Sequence, residues 1–171
     1  VSGAQPPDGV NFSAVANAEY DALVAEASAL TGAEACEVWD AAEAAWNVRL
    51  VSTTRPSEKF LGSTNSDLSF TGPYAIQGNY NGFQVWDISS PAKPSLKTAY
   101  LCPASQSDVS VYKNLLFVSG EGNGGRLDCG TQGVRDTVSA DRLRGIRIFD
   151  ITDIAAPKYI TNVQTCRGSH T

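Results

Sequence analysis

Few residues in this chain are of types, and at spacings, that could do chemistry. Asp87 and Asp150 each close an apolar run and precede a Ser- or Thr-containing turn. Paired carboxylates can serve as acid and base or hold a metal ion. These two, however, occupy matching places in two repeated segments, so a whole structural unit separates them. Their expected work is mechanical, each accepting backbone N–H groups of the turn that follows. His170 is the only histidine, with Ser169 beside it. Neighbours in an extended segment point to opposite faces, so they form no nucleophile–base pair. A third group lies between Glu121 and Arg144, where a Gly-rich run carries Asp128, Asp136 and Asp141 among Arg126, Arg135, Arg142 and Arg144. It shows no phosphate-loop glycine pattern and no calcium-loop spacing. The chain is therefore expected to have no catalytic residues, no cofactor and no resident metal.

Cys36, Cys102, Cys129 and Cys166 are an even set without a Cys-x-x-Cys pair. That spacing argues against a zinc ribbon or a thioredoxin-like site and for disulfides in an oxidising compartment. The sequence starts at Val1 and holds no Met. This suits an exported chain after processing, or part of a longer one. Thirteen Lys+Arg against 18 Asp+Glu leave a formal charge of −5. The densest basic stretch is only Arg142–Arg147, so nucleic acid is not an expected partner. No apolar run approaches the roughly 20 residues that cross a bilayer.

The elements that must position these residues change character along the chain. Residues 1–16, with Gln5-Pro6-Pro7-Asp8-Gly9, read as an extended leader. Residues 17–47 are rich in Ala and Glu and read as a helical segment. Asn17 suits an N-cap, and Gly32 suits a break between two helices. Val38, Trp39, Ala42, Ala45 and Trp46 recur at helical spacing on one face. Such a stripe is expected to pack on its own domain, and its alternative use is to dock a partner through Trp39 and Trp46. From residue 48 onward, β-branched and aromatic runs are broken by Gly, Asn, Pro and Ser.

Within that region the sequence repeats. Asp67-Leu-Ser-Phe-Thr-Gly-Pro-Tyr matches Asp108-Val-Ser-Val-Tyr-Lys-Asn-Leu at an offset of 41, and Gly82-Phe-Gln-Val-Trp-Asp-Ile-Ser matches Gly145-Ile-Arg-Ile-Phe-Asp-Ile-Thr at an offset of 63. The second copy thus carries a 22-residue insertion within 121–144. Each copy reads as four short strands, at about 108–112, 115–119, 145–151 and 158–164 in the second. Tandem four-stranded units of this length are blades of a β-propeller. The expected fold is mainly β, a partial β-propeller of four-stranded antiparallel blades with a short N-terminal α-helical segment. Blade one spans about 65–102 and blade two about 107–166.

Gly82–Asp87 and Gly145–Asp150, each followed by a hydrophobic-Ser/Thr turn leading to a proline, resemble the LVIVD-repeat proteins. The resemblance covers about residues 65–171 and implies a bacterial, exported, propeller-like protein. It implies no reaction and no catalytic residues, and it does not extend to the first 47 residues.

Strand counting puts Cys102, Cys129 and Cys166 on one side of the array. A Cys102–Cys129 disulfide is the expected pairing, with Cys129–Cys166 as its rival. A closed propeller needs at least four blades, so the second blade is expected to have an apolar face covered by more chain or by another protein. Together these features point to a non-catalytic scaffolding or interaction subunit. The expected setting is the periplasmic side of a bacterial membrane complex, respiratory or photosynthetic, with other protein subunits as partners. Arg126, Arg135 and Arg142 of the insertion are the candidate contacts beside the two tryptophans. The alternatives are part of a larger propeller enzyme or metal-binding protein, and a solute-binding or adhesion module.

Overall fold

The computed structural model describes residues 18–45 and 51–170. The chain divides into two compact units, residues 1–53 and 54–171. The first holds helices α1 (Ala18–Ala29) and α2 (Ala33–Ala45). They are separated at Gly32, whose φ of +70° favours a residue without Cβ. Ala27 and Ala42 are buried, so small side chains make the close packing. Trp39, by contrast, is 40% exposed, and the expected inward stripe is not formed there. Trp46, the expected cap Asn17 and the leader 1–16 lie outside the described residues. Among the described residues no helix is long and apolar enough to cross a membrane.

The second unit is built from two four-stranded antiparallel sheets. Sheet one holds β1 (Asn65–Thr71), β2 (Tyr74–Asn79), β3 (Gly82–Asp87) and β4 (Ser95–Leu101) in that order. Sheet two holds β5 (Val109–Tyr112), β6 (Leu115–Gly120), β7 (Gly145–Asp150) and β8 (Lys158–Gln164), again in order. A short 3-10 turn, Glu58–Phe60, precedes them.

The two sheets repeat one another in detail. The ladder of β3 with β4 slips between Val85 and Trp86, and that of β7 with β8 slips between the matching Ile148 and Phe149. The Ile88 N–H donates to the Pro73 carbonyl, and the Ile151 N–H donates to that of Asn114. Gly82 and Gly145 open the third strands at positive φ, +135° and +159°. A Cβ at either would collide with the neighbouring strand, at the Tyr100 or the Val163 carbonyl. That is why glycine recurs at this position.

The sheets stack face to face, and the faces that meet are not equivalent. In sheet one, Ile76, Phe83, Val85 and Tyr100 share a face, here called forward. In sheet two the matching positions, Phe117, Ile146, Ile148 and Val163, point away from sheet one. The face of sheet two that meets sheet one carries Val109, Leu116, Val118, Phe149 and Tyr159. These match Leu68, Ala75, Gln77, Trp86 and Leu96 on the rear of sheet one. Forward packs on rear. The contact is knit by aromatic rings: Phe149 lies edge-on to Phe83 at 5.1 Å and to Tyr100 at 5.0 Å, while Phe83 stacks on Tyr100 at 5.2 Å. Polar bonds fix the register. The Asp67 carboxylate accepts the Val109 N–H at 3.1 Å, and the Thr98 hydroxyl donates to the Ile154 carbonyl at 2.9 Å.

Candidate interaction surfaces

The strand ends carry the carboxylates that the sequence singles out. Asp87 Oδ1 accepts both the N–H of Ser89 at 3.0 Å and its hydroxyl at 2.6 Å. Asp150 Oδ1 does the same for Thr152, at 2.8 and 2.6 Å. The Ser89 hydroxyl and N–H, with Lys97 alongside, pull the Asp87 carboxyl from 3.8 to about 2. Thr152 lowers Asp150 in the same way. Both aspartates are turn-formers in the described geometry. A shallow groove of about 560 Å³ runs between the two sheets at this end, lined by Pro73, Lys113, Asn114, Ile151 and Asp153.

At the opposite end the insertion folds back over the sheet junction. Cys102 and Cys129 form a disulfide across 27 residues, joining the insertion to the connector between the sheets. Cys166, the rival partner, is an exposed thiol, as is Cys36. Beneath the disulfide lies Arg147, which has no accessible surface. Its guanidinium donates to the carbonyls of Cys102 at 2.9 Å, Pro103 at 3.1 Å and Arg126 at 2.7 Å. No carboxylate bonds the guanidinium directly among the described residues, and the Nε–H is buried without a partner. Burial lowers the group to about 10, which leaves it charged at neutral pH. Arg147 is thus a positive pin through which the connector and the insertion are tied to β7.

The three insertion arginines separate into two kinds. Arg126 is bidentate on Asp128, at 2.8 and 2.7 Å, and also reaches Asp141 at 3.4 Å. Those bonds from Arg126, helped by the Gly130 N–H, hold Asp128 well below the usual carboxylate range. Arg142 donates to the carbonyls of Asn123, Thr137 and Asp136. Both guanidinium groups therefore shape the loop. Arg135 is exposed, and so is Val138 three residues on, at 89%.

His170 Nδ1 lies 3.5 Å from a carboxylate oxygen of Asp108 and 3.5 Å from one of Glu121. Among the described residues no group of three or more His, Cys, Asp or Glu side chains is placed to hold a metal ion.

Sequence reasoning missed Arg147, which it read as part of a weak basic stretch. The signal was available: Arg147 alternates with Ile146 and Ile148 on a strand and falls at the position of Gln84, which is itself fully buried. The same reasoning expected an apolar face on the second blade, but not the one left open on sheet one. Tyr112 is 62% exposed and Val163 50% on the forward face of sheet two. Phe70 is 62% and Leu68 54% exposed on the rear face of sheet one.

Comparison with known proteins agrees with the first copy of the repeat. The LVIVD repeat family matches residues 62–102, the segment that holds β1–β4. No curated protein and no solved structure matches the chain.

Proposed function

We propose, taking the LVIVD repeat of residues 62–102 as the premise, that the chain is a non-catalytic, exported repeat protein. It works as an interaction or scaffolding subunit on the periplasmic side of a bacterial membrane complex. Its sheets are two consecutive blades of a propeller-type array, about 65–102 and about 107–166, the second bearing the insertion 121–144. The observation that carries this reading is the meeting of forward face with rear face. A self-contained sandwich buries its two apolar faces against each other and is finished. A head-to-tail stack is not, because every unit offers one more face of each kind. The Cys102–Cys129 disulfide supports the oxidising compartment. The exposed Trp39 of α2 and Arg135 with Val138 of the insertion are the surfaces we assign to other subunits. Arg126 and Arg142 hold the insertion in the shape it presents.

Fractionation of the native host, followed by mass spectrometry of the undissociated assembly, tests this. The expected result is a periplasmic protein with Cys102 and Cys129 protected from alkylation, held in an assembly with other subunits. A cytoplasmic protein with both thiols alkylated would overturn the export. An isolated chain that turns over a substrate would overturn the scaffold.

A further inference from the structure

The two outer faces of the stack are complementary in the same sense as the two that already meet. Sheet two offers a forward face outward, with Tyr112, Phe117, Ile146, Ile148 and Val163. Their counterparts in sheet one that align with the last four, Ile76, Phe83, Val85 and Tyr100, are the ones buried under sheet two. Sheet one offers a rear face outward. Its half near the β2–β3 turn is covered by the chain's own residues 57–64: Phe60 is buried there, and the Ser57 N–H donates to Gln84 at 2.9 Å. The other half leaves Phe70, Leu68 and Leu96 exposed, at 62%, 54% and 39%. The counterparts of these three in sheet two are Val111, Val109 and Tyr159, all of which pack in the core between the sheets. Each open face is thus the partner type of the other, and the contact between them is a continuation of one that the chain already makes internally.

Resting on the stacked-repeat reading above, we propose that copies of this chain associate head to tail, the forward face of sheet two in one copy docking on the open rear face of sheet one in the next. The contact is heterologous, so it either closes into a ring or runs on as a filament. Successive blades rotate about a common axis, and propellers close at roughly four to eight blades. A symmetric dimer through two forward faces is the competing arrangement, and the two differ in which variants rescue each other.

The test uses the full oxidised chain in sedimentation velocity over a range of concentrations. The wild-type chain is expected to associate. Val163→Asp spoils the forward face and Phe70→Asp the rear face, and each alone is expected to raise the concentration for half-association about tenfold or more. Mixed in equal amounts, the two are expected to form a one-to-one heterodimer, because each retains the face that the other lacks. Both substitutions lie at exposed positions, and Ile148→Asp with Leu68→Asp forms a second pair should circular dichroism show either of the first to be unfolded. A wild-type chain that stays monomeric overturns the proposal. So does association lost in Val163→Asp and kept in Phe70→Asp, which is the signature of the symmetric dimer. A monomer that still assembles with other subunits in its native envelope removes the self-stacking and leaves the scaffold standing; a monomer without any partner removes both.

Discussion

The two sheets have matching strand lengths, matching register slips and matching turn bonds, yet they spend their apolar residues differently. Sheet one buries its forward face under sheet two and caps half of its rear face with residues 57–64 and two layers of amide chemistry. Gln84 Nε2 donates to Gln77 Oε1 at 3.2 Å, and Trp86 Nε1 donates to the same oxygen at 3.3 Å. Sheet two buries its rear face and replaces those amides by Val118, Arg147 and Phe149. Its forward face, which follows the same strand pattern as the buried one in sheet one, remains open. Burial here is decided by the neighbour and not by the strand. A repeat can keep its backbone grammar and change what each face is for.

That claim is broken or sharpened first by matched truncations. Phe83→Ala empties a fully buried site against Tyr100 and Phe149. It is expected to cost about 3–5 kcal/mol in urea unfolding. Ile146→Ala removes the matching residue of sheet two, which is only half-buried, and is expected to cost about 1 kcal/mol. Equal losses would mean that the forward face of sheet two is covered in solution by something as well packed as sheet two itself.

The next effect concerns the one feature that sheet one lacks, the insertion. Reduction of Cys102–Cys129, or replacement of both by Ser, releases a loop of 27 residues. The expected loss is about 3 kcal/mol, carried by the unfolded chain's freedom. Below that stands Arg147. Arg147→Ala leaves three carbonyls without their donor, and about 2 kcal/mol is expected to go. Gln84→Ala, at the same position in sheet one, strips the Ser57 N–H and the Gln77 amide of one partner each. Its expected cost is about 1 kcal/mol. If the disulfide is already reduced, the Arg147 loss should shrink, because Cys102 and Arg126 supply carbonyls that the disulfide holds in place. Additive losses would show that pin and staple act separately.

How much of this was legible beforehand follows from what a repeat encodes locally. Strand positions, the Asp87 and Asp150 turns and the opening glycines depend on contacts within one hairpin or its neighbour. They appear as aligned letters at offsets of 41 and 63. The Cys102–Cys129 pairing was legible because strand counting decides which end of a sheet a loop leaves from. The insertion has no second copy to align with, so its inner logic was not visible. Arg126 and Arg142 looked like contacts for a partner, whereas the fold turns them on Asp128 and on backbone carbonyls. Trp39 was expected to face inward because periodicity marks a stripe but not its occupant. In the helical pair, Ala27 and Ala42 fill the inward positions and leave the indole outside.

The smallest expected effect lies in the turns that the sheets share, and its sign follows from the aspartates. Both carboxyls titrate lower in the fold than the ordinary 3.8, Asp87 at about 2 and Asp150 in the same direction. A depressed carboxyl favours the fold only while it is ionised. Its contribution is therefore complete above about pH 4 and drains away as the pH falls toward 2. The sheets should part company in salt. Asp87 has Lys97 at 3.2 Å as an ion-pair partner, and both are solvent-accessible, so added salt screens that contact. Asp150 relies first on the Thr152 hydroxyl and N–H and then on the Asn114 amide at 3.4 Å, which salt does not screen, with the charge of Lys158 the smallest contribution. Thermal unfolding from pH 5 to pH 2 with Asp87→Asn and Asp150→Asn should show a shallower acid loss in each variant. High salt should remove only the Lys97 share of the Asp87 contribution and leave the Ser89 share and most of the Asp150 part in place. An acid profile that neither variant alters would place the acid-sensitive groups elsewhere.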